Sequence, residues 1–310
     1  MTIRTLDIGL PAGYRPQDAL AFHGRDAEGA AEQVDGPSIR KGVLLDGVTV
    51  ELRIALDAGQ ARCSIDMASD TAGDENHDGA VLPQAHAALR NMLGLRIDPA
   101  PFEAAVRDDP LFGPVVRRTP GLRVIQSATV FEALTWAIIG QQINLPFAIA
   151  LRRSFIQQAG RRHPGGLWCY PEAPDVARLD IEQLTSRKFS RAKAETLLRL
   201  ARLVAEGALR LDRDANENGN GDDDLAATAA RLLAIKGIGP WTVNYALLRG
   251  YGDPDCSLHG DVAVRTAIGR LQGTAVRPDL AQAEAFLAAY RPHRTMAAAY
   301  LWASLGQPAA

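Results

Sequence analysis

RLLAIKGIGPWT, residues 231–242, reads as the end of one helix, a Gly-Ile-Gly turn and the start of a second helix. Pro240 suits the first position of that second helix, where its missing N–H has no intrahelical partner to lose. Gly237 and Gly239 let the backbone reverse and leave no side chains to keep a ligand away. The amides around Gly239 then point off a helix N-terminus, where they can bind a phosphate oxygen. Gly-x-Gly by itself better fits a helix–helix turn that is merely packed tightly. The leading Leu232 and Ile235 and the trailing Pro-Trp-Thr favour a helix–hairpin–helix, expected over about 225–250. Contacts from such a hairpin carry no base information; they position a protein on a duplex. Gly237, Ile238, Gly239 and Thr242 are the expected contact positions.

Downstream, LHGDVAVR (258–265) places Asp261 immediately before a helical pattern. Asp is a favoured N-cap, accepting a bond from an early helix amide. The same carboxylate can also face the deoxyribose of an extruded nucleotide, and the two roles are compatible. Further helices are expected at 280–290 and 295–304. Upstream, Ser190 caps a helix whose Leu197, Leu200, Ala201 and Val204 share one face. Ser190, Arg191 and Lys193 form a compact basic patch, either a backbone contact or a capped and solvated helix end. Thr129 begins a helix with Phe131, Leu134, Ile138 and Ile139 on one side, and Pro146 opens the next. Strand signals are scarce throughout 119–310, which reads as an all-helical region.

Residues 1–118 read differently. Stretches 43–45, 48–56 and 61–67 alternate apolar and polar residues around turns at Asp46-Gly47 and Ala58-Gly59, as antiparallel hairpins with one buried face do. Short helices are expected at 14–22 and 82–92. No catalytic cluster converges here, so this is a supporting domain. The fold class is α+β, an N-terminal antiparallel sheet with helices followed by a helical bundle.

A net charge of −2 looks unsuited to a DNA binder, but the acids are concentrated. Residues 68–79 and 211–224 are acidic, rich in Gly, Asn and Asp, and read as solvated loops. Without them the chain holds 26 acids against 33 bases, a basic body compatible with a polyanion. Cys63, Cys169 and Cys256 are isolated, with no Cys-x-x-Cys pair, so neither a disulfide framework nor an iron–sulfur cluster is expected. No run of about 18 apolar residues and no secretion signal is found, so no membrane partner is expected and a cytosolic location follows by default.

LLAIKGIGPWTVNYALLRG (232–250) followed by LHGDVAVRTAI (258–268) resembles the helix-hairpin-helix superfamily of DNA glycosylases. Within it the chain is most similar to the bacterial DNA-3-methyladenine glycosylase II group. The resemblance extends to FEALTWAIIGQQIN (131–144), FSRAKAETLLRLA (189–201) and YRPHRTMAAAYLW (290–302). It implies a TATA-binding-protein-like N-terminal domain, double-stranded DNA with alkylated bases as partner, and a bacterial cytoplasm; one duplex site per chain needs only a monomer. Asp261 matches the catalytic aspartate. Trp241, Tyr245 and Trp302 match aromatic residues of the base pocket; core packing is their ordinary alternative. Gln142 stands where a relative inserts an apolar wedge into the duplex, although a glutamine at a helix end needs no function. The family's hairpin also holds a monovalent cation, Na⁺ or K⁺, on backbone carbonyls, here those of Leu233, Ile235 and Ile238. No other cofactor is implied. Relatives that also cut the strand carry a lysine where this chain has Trp241, so Schiff-base chemistry is not expected.

The implied chemistry is hydrolysis of the N-glycosidic bond of a flipped nucleotide. A cationic alkylated purine would stack on Trp241 and Trp302, with cation–π attraction of roughly 0.5–2 kcal/mol favouring it over neutral bases. Asp261 would stabilise the developing oxocarbenium. The alternatives are a protein that binds damaged DNA without cutting it and a glycosylase for other lesions.

Overall fold

The computed structural model describes residues 2–68, 77–211, 225–274 and 276–306. Of the two acidic stretches expected as solvated loops, 69–76 and 212–224 lie outside these residues; Ala68 ends a strand and 77–79 open a helix instead. Among the described residues, no helix is long and apolar enough to cross a membrane.

The N-terminal part contains strands β1 (Thr2–Gly9), β2 (Glu32–Asp35), β3 (Ser38–Leu45), β4 (Val48–Asp57) and β5 (Gln60–Ala68), with helices α1 (Pro16–His23) and α2 (His77–Met92). The strands form one antiparallel sheet in the order β1-β5-β4-β3-β2. Asp46 and Gly47 both have positive φ, 50° and 75°, as a two-residue turn twisted with its strands requires. Ile39, Val50, Leu52, Ile54, Ile65, and Val81, Ala85 and Leu89 of α2 form the core between sheet and helix. The three expected strands are present. Residues 2–9 and 32–35 were not expected to pair. β1 is a largely exposed edge strand with weak apolar contrast. β2 reads EQVD, and its buried inward residue is Glu32, a carboxylate where apolar patterning looks for a hydrocarbon.

Short helices α3 (Ala100–Ala105) and α4 (Phe112–Arg118) lead into α5 (Val130–Gly140) and α6 (Leu145–Ala159). Thr129 Oγ1 caps α5 by accepting from Glu132 N at 3.1 Å, and Asn144 Oδ1 caps α6 from Phe147 N at 3.0 Å. Strands β6 (Arg161–Arg162) and β7 (Trp168–Cys169) follow, an exception to the expected all-helical region. These two-residue strands are too short for periodicity to reveal. The β7 segment lies beside β3: Tyr170 N donates to Gly42 O, and Leu44 N donates to Tyr170 O, both at 3.0 Å. A Cβ on Gly42 would sit 2.3 Å from Trp168 O, so only glycine admits this approach.

The remaining helices are α7 (Ala173–Ala177), α8 (Ile181–Thr185), α9 (Arg191–Ala205), α10 (Leu225–Leu233), α11 (Pro240–Ala246), α12 (Val262–Leu271), α13 (Leu280–Ala288) and α14 (Arg294–Leu305). A π-helical turn, Leu247–Tyr251, continues α11. The expected faces are buried: Leu197, Leu200 and Ala201 of α9 pack with Leu134, Ile138 and Ile139 of α5, and Val204 lies partly buried against them.

α5 is the structural axis. Its first turn carries Glu132 into a sealed ionic cluster against the sheet. Lys41 Nζ donates to Glu32 Oε1 and Glu132 Oε1, both at 2.8 Å, and Arg152 Nη2 lies 2.7 Å from Glu132 Oε1 and 3.1 Å from Glu32 Oε2. All four side chains are at most 2% exposed. The other end of α5 reaches the hairpin.

Candidate active site

Asp261 is the N-cap of α12. Its Oδ1 accepts from Val264 N at 2.9 Å and from Trp302 Nε1 at 3.1 Å, while Oδ2 accepts from Trp241 Nε1 at 2.9 Å. The carboxylate is thus a cap and also the meeting point of two indoles from α11 and α14. Three neutral donors fix its orientation, and it is only partly buried. It lines a cleft of about 1180 Å³ bounded by 140–145, the hairpin, Trp241, Tyr245, Arg249 and Trp302. The distances place a hydrogen-bonded anion inside an aromatic recess, the geometry needed to stabilise positive charge developing on a bound group.

The hairpin closes one side. Gly237 has φ +99°, and a Cβ there would lie 2.0 Å from Thr196 Oγ1, so both conformation and space demand glycine. Gly239 has an ordinary φ of −107° and serves as the N-cap of α11. Nothing lies within 4 Å of where its Cβ would be, which leaves the approach to the helix end open. Gln141 Nε2 donates to Gly237 O at 3.1 Å and to Thr242 Oγ1 at 2.9 Å, pinning α5 to the hairpin. Thr242 is buried in this contact, its hydroxyl taken by Gln141. Gln142, beside it, is exposed at the cleft mouth with φ +55°, uncommon for a residue with a side chain.

Tyr245 lies one turn beyond Trp241, ring centroids 5.3 Å apart, and its hydroxyl accepts from Trp136 Nε1 at 2.8 Å. The expected pocket aromatics therefore converge on the cleft, and Trp136 supports them from behind. Arg249, on the π turn, was not foreseen. Its guanidinium lies 5.6 Å from the Trp302 ring centre, and Nη1 donates to Ile125 O. Burial, with Arg25 as a like charge nearby, pushes its pKa down against the opposing pull of Tyr245. Sequence spacing holds no signal for this residue, because its role depends on the widened turn and on Ile125 across the domain junction.

Residues 135–292 match the family described as "HhH-GPD superfamily base excision DNA repair protein". This protein belongs to that helix-hairpin-helix base-excision repair family. Residues 6–128 also match its AlkA N-terminal domain. A DNA-3-methyladenine glycosylase of Bacillus subtilis is 32% identical over 217 residues, 69% of this chain and 70% of that protein. The solved 3-methyladenine DNA glycosylase of Archaeoglobus fulgidus superposes with a TM-score of 0.74 at 20% identity, covering 96% of this chain and 97% of that one. A 3-methyladenine DNA glycosylase of Schizosaccharomyces pombe in complex with abasic DNA gives 0.57 at 22% identity, covering 67% of this chain and 97% of that one. These similarities establish an α+β helix-hairpin-helix repair fold.

This chain brings the hairpin and Asp261 to one cleft. The predicted basic patch lies beside that cleft and does not line it. Ser190 Oγ accepts from Lys193 N at 3.3 Å, Arg191 pairs with Glu195 at 3.1 Å, and Lys193 Nζ donates to Ile139 O at 2.7 Å. Partial burial pushes the Lys193 pKa down. α9 nevertheless abuts the hairpin, since Arg199 Nη1 donates to Lys236 O at 2.9 Å. Around the implied cation position, Ile235 O accepts from Ile238 N at 3.0 Å. Carbonyl oxygens of 233, 235 and 238, with no side-chain carboxylate among them, suit a monovalent cation held by neutral donors.

Proposed function

We propose that this protein is a monofunctional DNA glycosylase that hydrolyses the N-glycosidic bond of alkylated purines, of the 3-methyladenine and 7-methylguanine type, after flipping them from the duplex. The observation that carries this reading is Asp261, held by the indoles of Trp241 and Trp302 in an open cleft beside the hairpin. The C1′–N9 bond breaks with its electron pair leaving on the purine. Positive charge grows on the sugar and is stabilised by the Asp261 carboxylate. Water adds to C1′, its proton passing to Asp261 or solvent, and an abasic site remains. Trp241, Tyr245 and Trp302 form the walls against which the base stacks. Gln142, exposed in its left-handed conformation, enters the gap in the helix. Gly237, Ile238 and Gly239, with the backbone of Thr242, hold a phosphate, and Ser190, Arg191 and Lys193 lie along the flanking strand. A Na⁺ or K⁺ on the carbonyls of Leu233, Ile235 and Ile238 would stiffen the hairpin. No lysine lines the cleft among the described residues, which supports hydrolysis without strand cleavage. One duplex needs one chain, so the working form is a monomer, acting in a bacterial cytoplasm.

The test is incubation with methylated duplex, identification of released bases by mass spectrometry, and comparison of strand breaks with and without alkali. Release of 3-methyladenine with breaks only after alkali is expected. Tight binding without release would reduce the protein to a damage sensor, and breaks without alkali would make it a lyase.

A further inference from the structure

A second cavity, of about 520 Å³, lies where the N-terminal part meets the helical part, and it shares no lining residue with the cleft. Leu45 of β3 and Ala87 of α2 line one part of it; Val130 and Phe131 of α5, Pro171 and Val204 of α9 line the rest. Small-molecule sites enclose roughly 300–1000 Å³, have mostly apolar walls with a few polar groups, and often sit between folding units. This cavity meets all three conditions.

Two charged side chains line it. Arg96 donates from Nε to Asn91 Oδ1, and its stem packs over Gly252, where a Cβ would lie 2.9 Å from it. Glu172 is held differently. Its Oε1 accepts from Asp46 N and its Oε2 from Gly47 N, both at 2.8 Å. These amides fix the carboxylate against the β3–β4 turn and use one acceptor position on each oxygen, leaving another on each. Burial pushes the Glu172 pKa up against the two amides, and Asp175 and Asp46 add like charge. Among the described residues no lysine, arginine or histidine pairs with it, although its neighbour Asp175 lies 3.5 Å from Arg161.

The ionic cluster shows how this chain otherwise treats carboxylates removed from water. Glu32 and Glu132 each meet both Lys41 and Arg152. Glu172 instead presents its two remaining acceptor positions beside apolar walls. An ammonium group suits them, because it is compact, positively charged and carries donors only. A hydrocarbon body attached to it would cover the apolar lining.

We infer that this junction cavity is a binding site for an organic cation, a primary ammonium on a compact apolar body, with Glu172 as its counter-ion. A neutral alcohol of the same shape buries the same apolar surface but gains no charge contact. An anion of that shape meets the Glu172 carboxylate and is repelled.

The experiment titrates the full chain near neutral pH with phenethylammonium, phenethyl alcohol and hydrocinnamate, read by calorimetry and ligand-observed NMR. Phenethylammonium should bind saturably and about 10-fold more tightly than the alcohol, the worth of a hydrogen bond to a charged group; hydrocinnamate should not bind. Glu172→Gln keeps an acceptor for the turn amides, and should bring the ammonium down to the affinity of the alcohol while the alcohol stays within about 3-fold. Ala87→Phe fills the cavity without touching the carboxylate and should abolish binding of both, deciding the matter if Glu172→Gln fails to fold. Equal affinity for ammonium and alcohol, equal loss of both in Glu172→Gln, ammonium binding that survives either variant unchanged, or no saturable ammonium binding overturns the inference.

Discussion

The two ends of α5 (Val130–Gly140) meet charge in opposite ways. At its first turn, Glu132 joins Glu32, Lys41 and Arg152 in a set of two acids and two bases sealed between sheet and helices, with His23 Nδ1 3.0 Å from Glu32 Oε1. At its far end, Trp136 and Gln141 support a cleft where Asp261 has neutral indole and amide donors and, among the described residues, no cation bonded to it. Charges that join the two parts are paired and dry. Charges that face a ligand keep part of their capacity unspent. A carboxylate already neutralised by a lysine would offer little to a sugar turning cationic, whereas one held by indole N–H groups is oriented and still anionic.

This contrast makes separable predictions. The largest effect belongs to the cleft. Asp261→Asn should keep the α12 cap, fold, and DNA affinity, yet lose about 10²–10³-fold in single-turnover base release, the scale of removing one transition-state charge contact. Unchanged release would remove Asp261 from the mechanism. Glu132→Gln should show the opposite pattern. Leaving Lys41 and Arg152 with one carboxylate costs about 3–5 kcal/mol, as for other broken buried pairs. That lowers Tm by roughly 10 °C in a chain of this size while release per folded molecule stays the same. A mutant that melts like its parent would show that the cluster is no weld.

Acid should weaken the weld. Burial pushes both carboxyls up, but Lys41 and Arg152, joined at Glu32 by His23, outweigh that cost and hold both below the ordinary value of 4.5, Glu32 well below it. A depressed folded-state pKa contributes stability that is fully present above the unfolded value and lost as pH falls through the folded one. From these two groups Tm should therefore be level above about pH 5 and fall as pH drops below 4.5. Thermal melts across that range check it, and Glu132→Gln should flatten the slope. The smallest effect is Trp302→Phe, which keeps a ring but loses one donor to Asp261 Oδ1. Release should fall about 10-fold, the worth of one hydrogen bond to a charged group, with Tm little changed. A loss as large as that of Asp261→Asn would mean the indole does more than orient.

Much of the site is legible in the chain because its parts are local. Pro240 after Gly239, Asp261 before an apolar helix, and Trp241 four residues from Tyr245 each follow from turn chemistry or helical spacing. The β3–β4 and β4–β5 hairpins are legible for the same reason, through Asp46-Gly47, Ala58-Gly59 and alternating strands. β2 escaped because its buried residue, Glu32, is polar and finds its partners on α1, β3 and α6. β7 escaped because two residues carry no period, and its place is set by Gly42, more than a hundred positions away.

The amino-acid order alone determined the hairpin, the capped helices and the aspartate ahead of α12, since caps, turns and amphipathic faces are settled within a few residues. Only the tertiary structure decided that Trp302 would reach Asp261 across 41 positions, that Gln141 and not Gln142 would hold the hairpin, and that Arg249, anchored on Ile125 O, would line the cleft. Each of those depends on side chains meeting across separate elements, and neither composition nor spacing encodes a distance between groups that only packing brings together.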